Sequence, residues 1–353
     1  NTVSEIRVKI ITKSSHLFGD SPSPSKNKTF PNQVPKWGLC KFLFGNECNY
    51  DWLVVYDDFR GKIELNCPSQ NTILVTTEPS SIKTYETSYI KQFGYVLSGQ
   101  EDWALKHPRK IYSQPALFWY YGANRLSYDE IAHNPPLKKN NLISTVTSNK
   151  KQKHTRHYQR DKFINELQAI LPKLDRFGRG IRKIDDKAEA LDSYKYHIAV
   201  ENHICDHWWT EKLADSFLGL TLPFYSGAPN AADYFPSKSF IPVNINNPKE
   251  TAKIIQHAIE NKEYEKRLPY IQEARRRVLQ RYFFYATISK IIQRENLRIT
   301  QNVEFNTEYK YRVLKSRKSL RENPIIALSV VFEKLDNKVS SFISKYREKA
   351  INE

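Results

Sequence analysis

The stretch "YKYHIAVENHICDHWWTEKLADSFLG", residues 194–219, decides how the chain is read. Tyr194–Val200 is an apolar, aromatic run of strand length, which predicts a buried strand. From Thr210 the pattern "TEKLADSFLG" predicts a helix that opens on a threonine and an acidic first turn. A buried strand running into a helix is the unit of a parallel sheet covered by helices. Such sheets take ligands at the carboxyl ends of their strands, where Glu201 and the residues after it fall. Four metal-ligand types crowd here: His203, Cys205, Asp206 and His207. A zinc site is geometrically conceivable, yet the segment precedes the helix and a fourth ligand is not evident. A metal-free ligand loop is the preferred reading.

The same alternation extends outward. "LTLPFYSG" and "SFIPVNI" follow as strands, then a helix-rich run from Pro248 to about Arg294. Upstream, "NLISTVTS" leads into "TRHYQRDKFINELQAIL", where Tyr158, Phe163, Leu167, Ile170 and Leu171 form an approximate helical stripe. In the first half, "EIRVKIIT" (5–12), "DWLVVYDDF" (51–59), "NTILVTTE" (71–78) and "FGYVLS" (93–98) read as strands. "GDSPSPSKNKTFPNQVPKWG" reads as a mobile surface loop, and "NPPLKKNN" as a linker near residue 140. The fold class is therefore α/β, with domains expected at 1–138 and 139–300 and a basic amphipathic tail at 301–353.

At 353 residues, with 40% hydrophobic and 13% aromatic content, the chain can bury two cores. Its formal net charge of +17 implies an anionic partner: nucleic acid, a nucleotide substrate or an acidic membrane surface. The cations concentrate in "KKQKHTRHYQR", "RFGRGIRK", "EARRRVLQR" and the tail without a nucleic-acid motif, so nucleic acid ranks below a nucleotide. Cys40, Cys48, Cys67 and Cys205 make no disulfide framework and are expected as free thiols. No apolar run reaches the roughly twenty residues of a membrane helix, and no signal-peptide pattern opens the chain. A cytoplasmic protein is expected, associating if anywhere with the inner face of a membrane.

The segment 194–243 resembles the donor-binding motif of the α-1,3-fucosyltransferases. Tyr194-Lys195-Tyr196, Val200-Glu201-Asn202 and Trp208-Trp209-Thr210-Glu211-Lys212 match in order, as do Pro223 to Gly227 and Phe240-Ile241. "SNKKQKHTRHYQRDKFINEL" looks like the family's arginine-bearing helix and places its phosphate-binding arginine at Arg160. "ILVTTEPSS" looks like the segment carrying the family's proposed catalytic base and places it at Glu78, although Thr77 and Pro79 stand where the family often has Gly and Asn.

The resemblance implies an inverting glycosyltransferase of GT-B type, with two Rossmann-like domains facing a cleft. GDP-fucose is the implied donor substrate and a glycan hydroxyl the acceptor. Donor-binding residues would be Arg160, Glu201, Asn202, Trp208, Glu211 and Lys212, with Glu78 deprotonating the acceptor. The chain contains no Asp-x-Asp pair, so cations are expected to stabilise the diphosphate without a metal, and no cofactor is expected. Alternatives are another sugar nucleotide on the same fold, a non-enzymatic nucleic-acid-binding protein and an inactive sugar-binding relative.

In the tail, Leu328, Phe332, Leu335, Val339, Phe342 and Tyr346 recur at heptad-like spacing, with Lys334, Lys338, Lys345 and Arg347 off the seam. Residues 325–347 could pack on the protein's own core, pair with a second copy or lie on an anionic membrane, the last favoured by the basic residues just upstream.

Overall fold

The computed structural model describes residues 4–13, 29–115, 118–122, 125–147, 156–301 and 311–351. Strands β1 (Ile6–Thr12), β2 (Lys36–Trp37), β3 (Cys40–Leu43) and β4 (Trp52–Tyr56) come first. They are followed by β5 (Lys62–Glu64), β6 (Thr72–Val75), β7 (Tyr95–Ser98) and β8 (Lys110–Tyr112). All except β5 join one sheet in the order β2-β3-β1-β4-β6-β7-β8, antiparallel only at β2–β3. A second, wholly parallel sheet runs β10-β9-β11-β12-β13, from β9 (Asn141–Val146), β10 (Leu174–Phe177), β11 (Tyr194–Val200), β12 (Leu222–Ser226) and β13 (Ile241–Pro242). β14 (Val313–Lys315) pairs antiparallel with β5.

The helices are α1 (Thr87–Ile90), α2 (Tyr128–His133), α3 (Arg156–Ile170), α4 (Glu211–Leu218) and α5 (Pro248–Glu260). After them come α6 (Glu263–Arg277), α7 (Phe284–Gln301), α8 (Arg317–Arg321) and α9 (Pro324–Ile351). The chain is α/β, as expected, and closes on a helix. The expected strands at 5–12, 51–59, 71–78 and 93–98 are β1, β4, β6 and β7. The expected surface loop ends in β2, and residues 19–28 of it lie outside the described set.

Two compact units divide the chain: Asn1–Ala116 with Phe284–Glu353, and Leu117–Phe283. This division departs from the expected boundaries at 138 and 300. Residues 118–133 belong to the second unit because their backbone is claimed there. Asp215 accepts from the Tyr120 and Tyr121 amides at 3.0 Å, Asp186 accepts from the Gly122 amide, and the buried Arg275 guanidinium donates to the Ile131 carbonyl. Conversely, α7 packs on the first sheet. Trp52 Nε1 donates to Asn296 at 3.2 Å, Ser289 Oγ to the Trp37 carbonyl at 2.6 Å, and the Tyr285 ring lies 4.2 Å from that of Phe30.

The region 301–353 is likewise not a separate tail. Leu314 of β14 and Leu320 of α8 are buried in the first unit's core beside Leu53, Val55 and Leu74. In α9 the inward side is not the predicted seam. Val330 is buried and Ile326 packs on the core, whereas the six seam residues are each at least 53% exposed. Packing of that seam on the protein's own core is therefore excluded.

In α3 the buried positions are Arg160, Phe163, Ile164 and Leu167, with Leu171 buried just past its end, while Tyr158 and Ile170 face solvent. The expected stripe was right at three positions and rotated at its edges. The correction matters because it sets Arg160 on the face that packs inward.

Candidate functional site

In the second sheet, β10 lies on one side of β9 and β11 on the other. The direction of winding reverses between β9 and β11, the place where an open parallel sheet leaves a crevice beyond its strand ends. Glu201 and Asn202 directly follow β11 at that point. Arg160 reaches it from α3 and donates from Nη1 to Asn202 Oδ1 at 2.8 Å. An arginine 7% exposed and bonded to the loop is poorly explained as one more solvated helix cation. Burial lowers its pKa from the ordinary arginine value, against the opposing pull of Glu201 and Asp161, but a guanidinium remains a cation regardless.

Glu201 is 2% exposed and holds the start of α4. Its carboxylate accepts from the Thr210 amide at 2.9 Å and the Thr210 hydroxyl at 2.7 Å. Tyr225 Oη donates to it at 3.4 Å, and Thr210 Oγ1 in turn accepts from the Lys212 amide at 3.3 Å. Thr210 is thus the helix N-cap, and Glu201 fixes its rotamer. Sequence reasoning offered Glu201 as an acceptor for ligand hydroxyls; the structure adds that its oxygens position Thr210 and Tyr225. Burial, with Glu211 adding, raises its pKa above the ordinary glutamate value. Gly227 leaves room for this cluster, since a Cβ there would stand 2.1 Å from Tyr225 Oη and 2.5 Å from Glu201 Cγ.

Glu211 and Lys212 form the first turn of α4 and pair at 3.1 Å, with Lys212 Nζ 4.0 Å from Glu201. Burial alone would pull the Lys212 ammonium down; Glu211 and Glu201 outweigh it and hold its pKa above the usual lysine value. Burial would likewise push Glu211 up, but Lys212 and Lys187 bring it below the ordinary glutamate value. Both side chains keep partial exposure. Trp208 is buried edge-on to the His203 ring, while Trp209 is core, packed against Tyr234, Phe235 and Tyr282. Of the metal-type residues, His207 is engaged: Nδ1 lies 2.6 Å from Tyr234 Oη, and its amide donates to Asn230.

One strand further, past the ends of β12 and β13, a cavity of about 220 Å³ is lined by Ser226, Gly227, Ala228, Asn244 and Asn246, among others. Two residues that sequence reasoning missed complete the neighbourhood. Lys187 pairs with the buried Asp215 at 3.1 Å and lies over the Tyr120 ring. The available signal was an aspartate inside the apolar stripe of α4, where a charge needs a partner.

In the first unit, Glu78 follows β6 at the carboxyl edge of the sheet, half-buried, its carbonyl accepting from Gln100 Nε2 at 2.8 Å. Of the other carboxylates weighed as bases, Asp57 is spoken for, since Lys83 donates to both its oxygens and Tyr85 to one. Burial pushes Asp57 up, but these bonds prevail and hold it below the ordinary aspartate value. Asp102 pairs with Lys110, and Glu101 accepts from Ser80; Asp58 is buried.

The second unit is thus an α/β unit with cations gathered where its sheet reverses. Residues 136–294 match the family model described as glycosyltransferase family 10 (fucosyltransferase), C-terminal part, so the fucosyltransferase resemblance read from the sequence is borne out over that segment. Among curated proteins, 4-galactosyl-N-acetylglucosaminide 3-alpha-L-fucosyltransferase 9 of Mus musculus and of Homo sapiens are each 29% identical over 147 residues, 40% of this chain. The match spans 39% of those relatives' length. Among solved structures, an alpha1,3-fucosyltransferase with GDP-fucose aligns over 86% of this chain and 93% of its own, at 17% identity and a TM-score of 0.47.

Proposed function

We propose that the protein is an inverting glycosyltransferase that moves fucose from GDP-fucose to a glycan hydroxyl. The observation that carries this reading is the coincidence of the ordered motif with the sheet's reversal: Arg160, Asn202 and Lys212 meet there, in the segment that matches the fucosyltransferase family. Departure of the nucleoside diphosphate loads negative charge on its oxygens, and preorganised cations stabilise that charge as it develops. Arg160 supplies a fork and Lys212 a compact charge, so the proposed reaction runs without a metal. Glu211 holds Lys212, and Glu201 sets the helix start that presents both. The cavity beyond β12 and β13 would take the base, with Asn244 and Asn246 as its polar groups. Trp208 would border the donor. Glu78 would take the acceptor proton as the hydroxyl attacks the anomeric carbon from the face opposite the leaving group.

Calorimetry with GDP tests the donor half. Saturable binding is expected, weakened roughly tenfold or more by Lys212→Ala, as for loss of a charge-assisted bond of about 1.5–3 kcal/mol. Absence of binding, or binding indifferent to Lys212, sinks it. A different sugar nucleotide on the same residues is the second reading, favoured by the bulky Trp208–Trp209 pair. We also infer that α9 contacts an anionic membrane through its exposed seam, with a second copy of the chain as the competing occupant.

A further inference from the structure

The first unit holds a cavity of about 480 Å³ that no residue of the donor motif lines. β1 and β4 pair in register as far as Thr12 and Tyr56, and β3 lies on the far side of β1, so this sheet reverses here as the second does between β9 and β11. The residues next in the chain, Lys13 and Asp57, open into the cavity, and the return segment adds Arg317, Lys318 and Arg321 from across it, with Lys83 beside them. Three carboxylates also face it, and one is neutralised by a cation. Asp57 is saturated by Lys83 and Tyr85, and buried Asp58 accepts the Arg317 amide at 3.3 Å; Glu322 stands exposed at the rim.

The cations are less fully answered. Glu86, buried behind them, is shared by Arg317 and Arg321, each at 2.7 Å. Asp58 also acts on Arg317, yet the five lining cations still outnumber Asp57, Asp58, Glu322 and the Glu86 behind them by one. Arg317 spends Nε on Glu86 and Nη2 on Glu86 and the Thr84 carbonyl, so its Nη1 has no bond among the described residues although the side chain is 12% exposed. Lys13 and Lys318 have no ion partner among the described residues either. A guanidinium held rigid by a buried carboxylate, flanked by two uncommitted ammoniums, is preorganised for an oxyanion and loses little side-chain entropy on binding one.

We propose that this cavity is a second ligand site, which receives a phosphate or carboxylate group of a small soluble ligand. The site stands whether or not the donor reading holds.

Its test is isothermal titration of the full chain with inorganic pyrophosphate and, separately, with glucuronate. Both titrations are repeated on a chain carrying Arg160→Ala and Lys212→Ala, so that anion captured by the second unit is discounted. The expected result is saturable binding of at least one anion in both chains, weakened fivefold or more by Lys13→Ala combined with Lys318→Ala, with an unchanged melting temperature. Preference for pyrophosphate assigns a phosphate ligand, and preference for glucuronate a carboxylate. Three results overturn the proposal: no saturable heat with either anion at millimolar concentration, binding that vanishes with Arg160 and Lys212, or an affinity that the Lys13 and Lys318 changes leave untouched.

Discussion

Glu201 and Lys212 show what a motif conveys about single residues and what it withholds. Their identity, order and spacing were legible because the strand end, the helix cap and the first turn lie within a dozen residues of one another. That Glu201 also holds the start of the helix was not legible, because that role depends on which hydrogen bonds its oxygens hold. Lys187 was invisible for a related reason: it reaches Asp215 across 28 positions, and no local pattern encodes that distance. Glu78 is the residue whose role most needs measurement. With Asp57 held by Lys83 and Tyr85, Glu78→Gln is expected to lower kcat by about a hundredfold or more while leaving GDP affinity near wild type, the signature of a lost base. Turnover close to wild type would move the base to Glu101, Asp58 or Asp102.

At the scale of elements, β11 was read to its boundaries because its apolar run is uninterrupted, whereas β10, with Asp175 and Arg176 inside four residues, gave no such signal. β11 also carries a titrating group where none is solvated. His197 is 6% exposed, with Nδ1 2.9 Å from Ser144 Oγ, whose own hydrogen goes to the Ala190 carbonyl. Burial first, and Lys187 second, lower its pKa to about 3. The unfolded chain therefore binds this proton near pH 6.5 and the folded one does not, so the native state loses stability as pH falls below that value. Urea unfolding should show about 2 kcal/mol lost by pH 5 through this residue alone. His197→Gln should flatten the acid slope; an unchanged slope would place its origin elsewhere. For α9, the Glu333 carboxylate accepts from the Thr87 amide, so the helix is tied to the first unit up to that turn. Ending the chain after Lys334 is expected to keep GDP binding and abolish co-sedimentation with anionic vesicles. Equal sedimentation of both forms would exclude the membrane, and a drop from dimer to monomer would point to a second copy.

For the whole molecule, the α/β class and the central strands of each sheet followed from strand and helix patterns, but the edge strands β2, β8 and β10 and the route of the chain between units did not. The "NPPLKKNN" cluster looks like a linker by composition, yet Lys139 within it is fixed by the Leu191, Asp192 and Gly219 carbonyls. Desolvation lowers its pKa to about 7, with Asp192 opposing. Composition reports a preference for solvent and cannot show that three carbonyls converge on one ammonium. The second unit is a single continuous stretch with its own sheet, and the first is not. Expressed alone, residues 117–283 should give a soluble fragment with cooperative unfolding, and residues 1–116 should not. A cooperative transition in the 1–116 fragment would show that α7, β14 and α8 are dispensable to it.

That division also sets an order of events during synthesis. Translation delivers the first sheet's strands early, together with Tyr85, Tyr89 and Phe93 of their cover, but the rest of that cover arrives with residues 284 onward, after the entire second unit has emerged. Until then Trp52, Leu53 and Val55 have no α7, β14 or α8 to close over them. The nascent chain must shelter an unfinished sheet while the second unit completes itself. Slowing elongation through 117–283 should therefore lengthen chaperone dependence, whereas the same slowing after residue 322 should leave it unchanged.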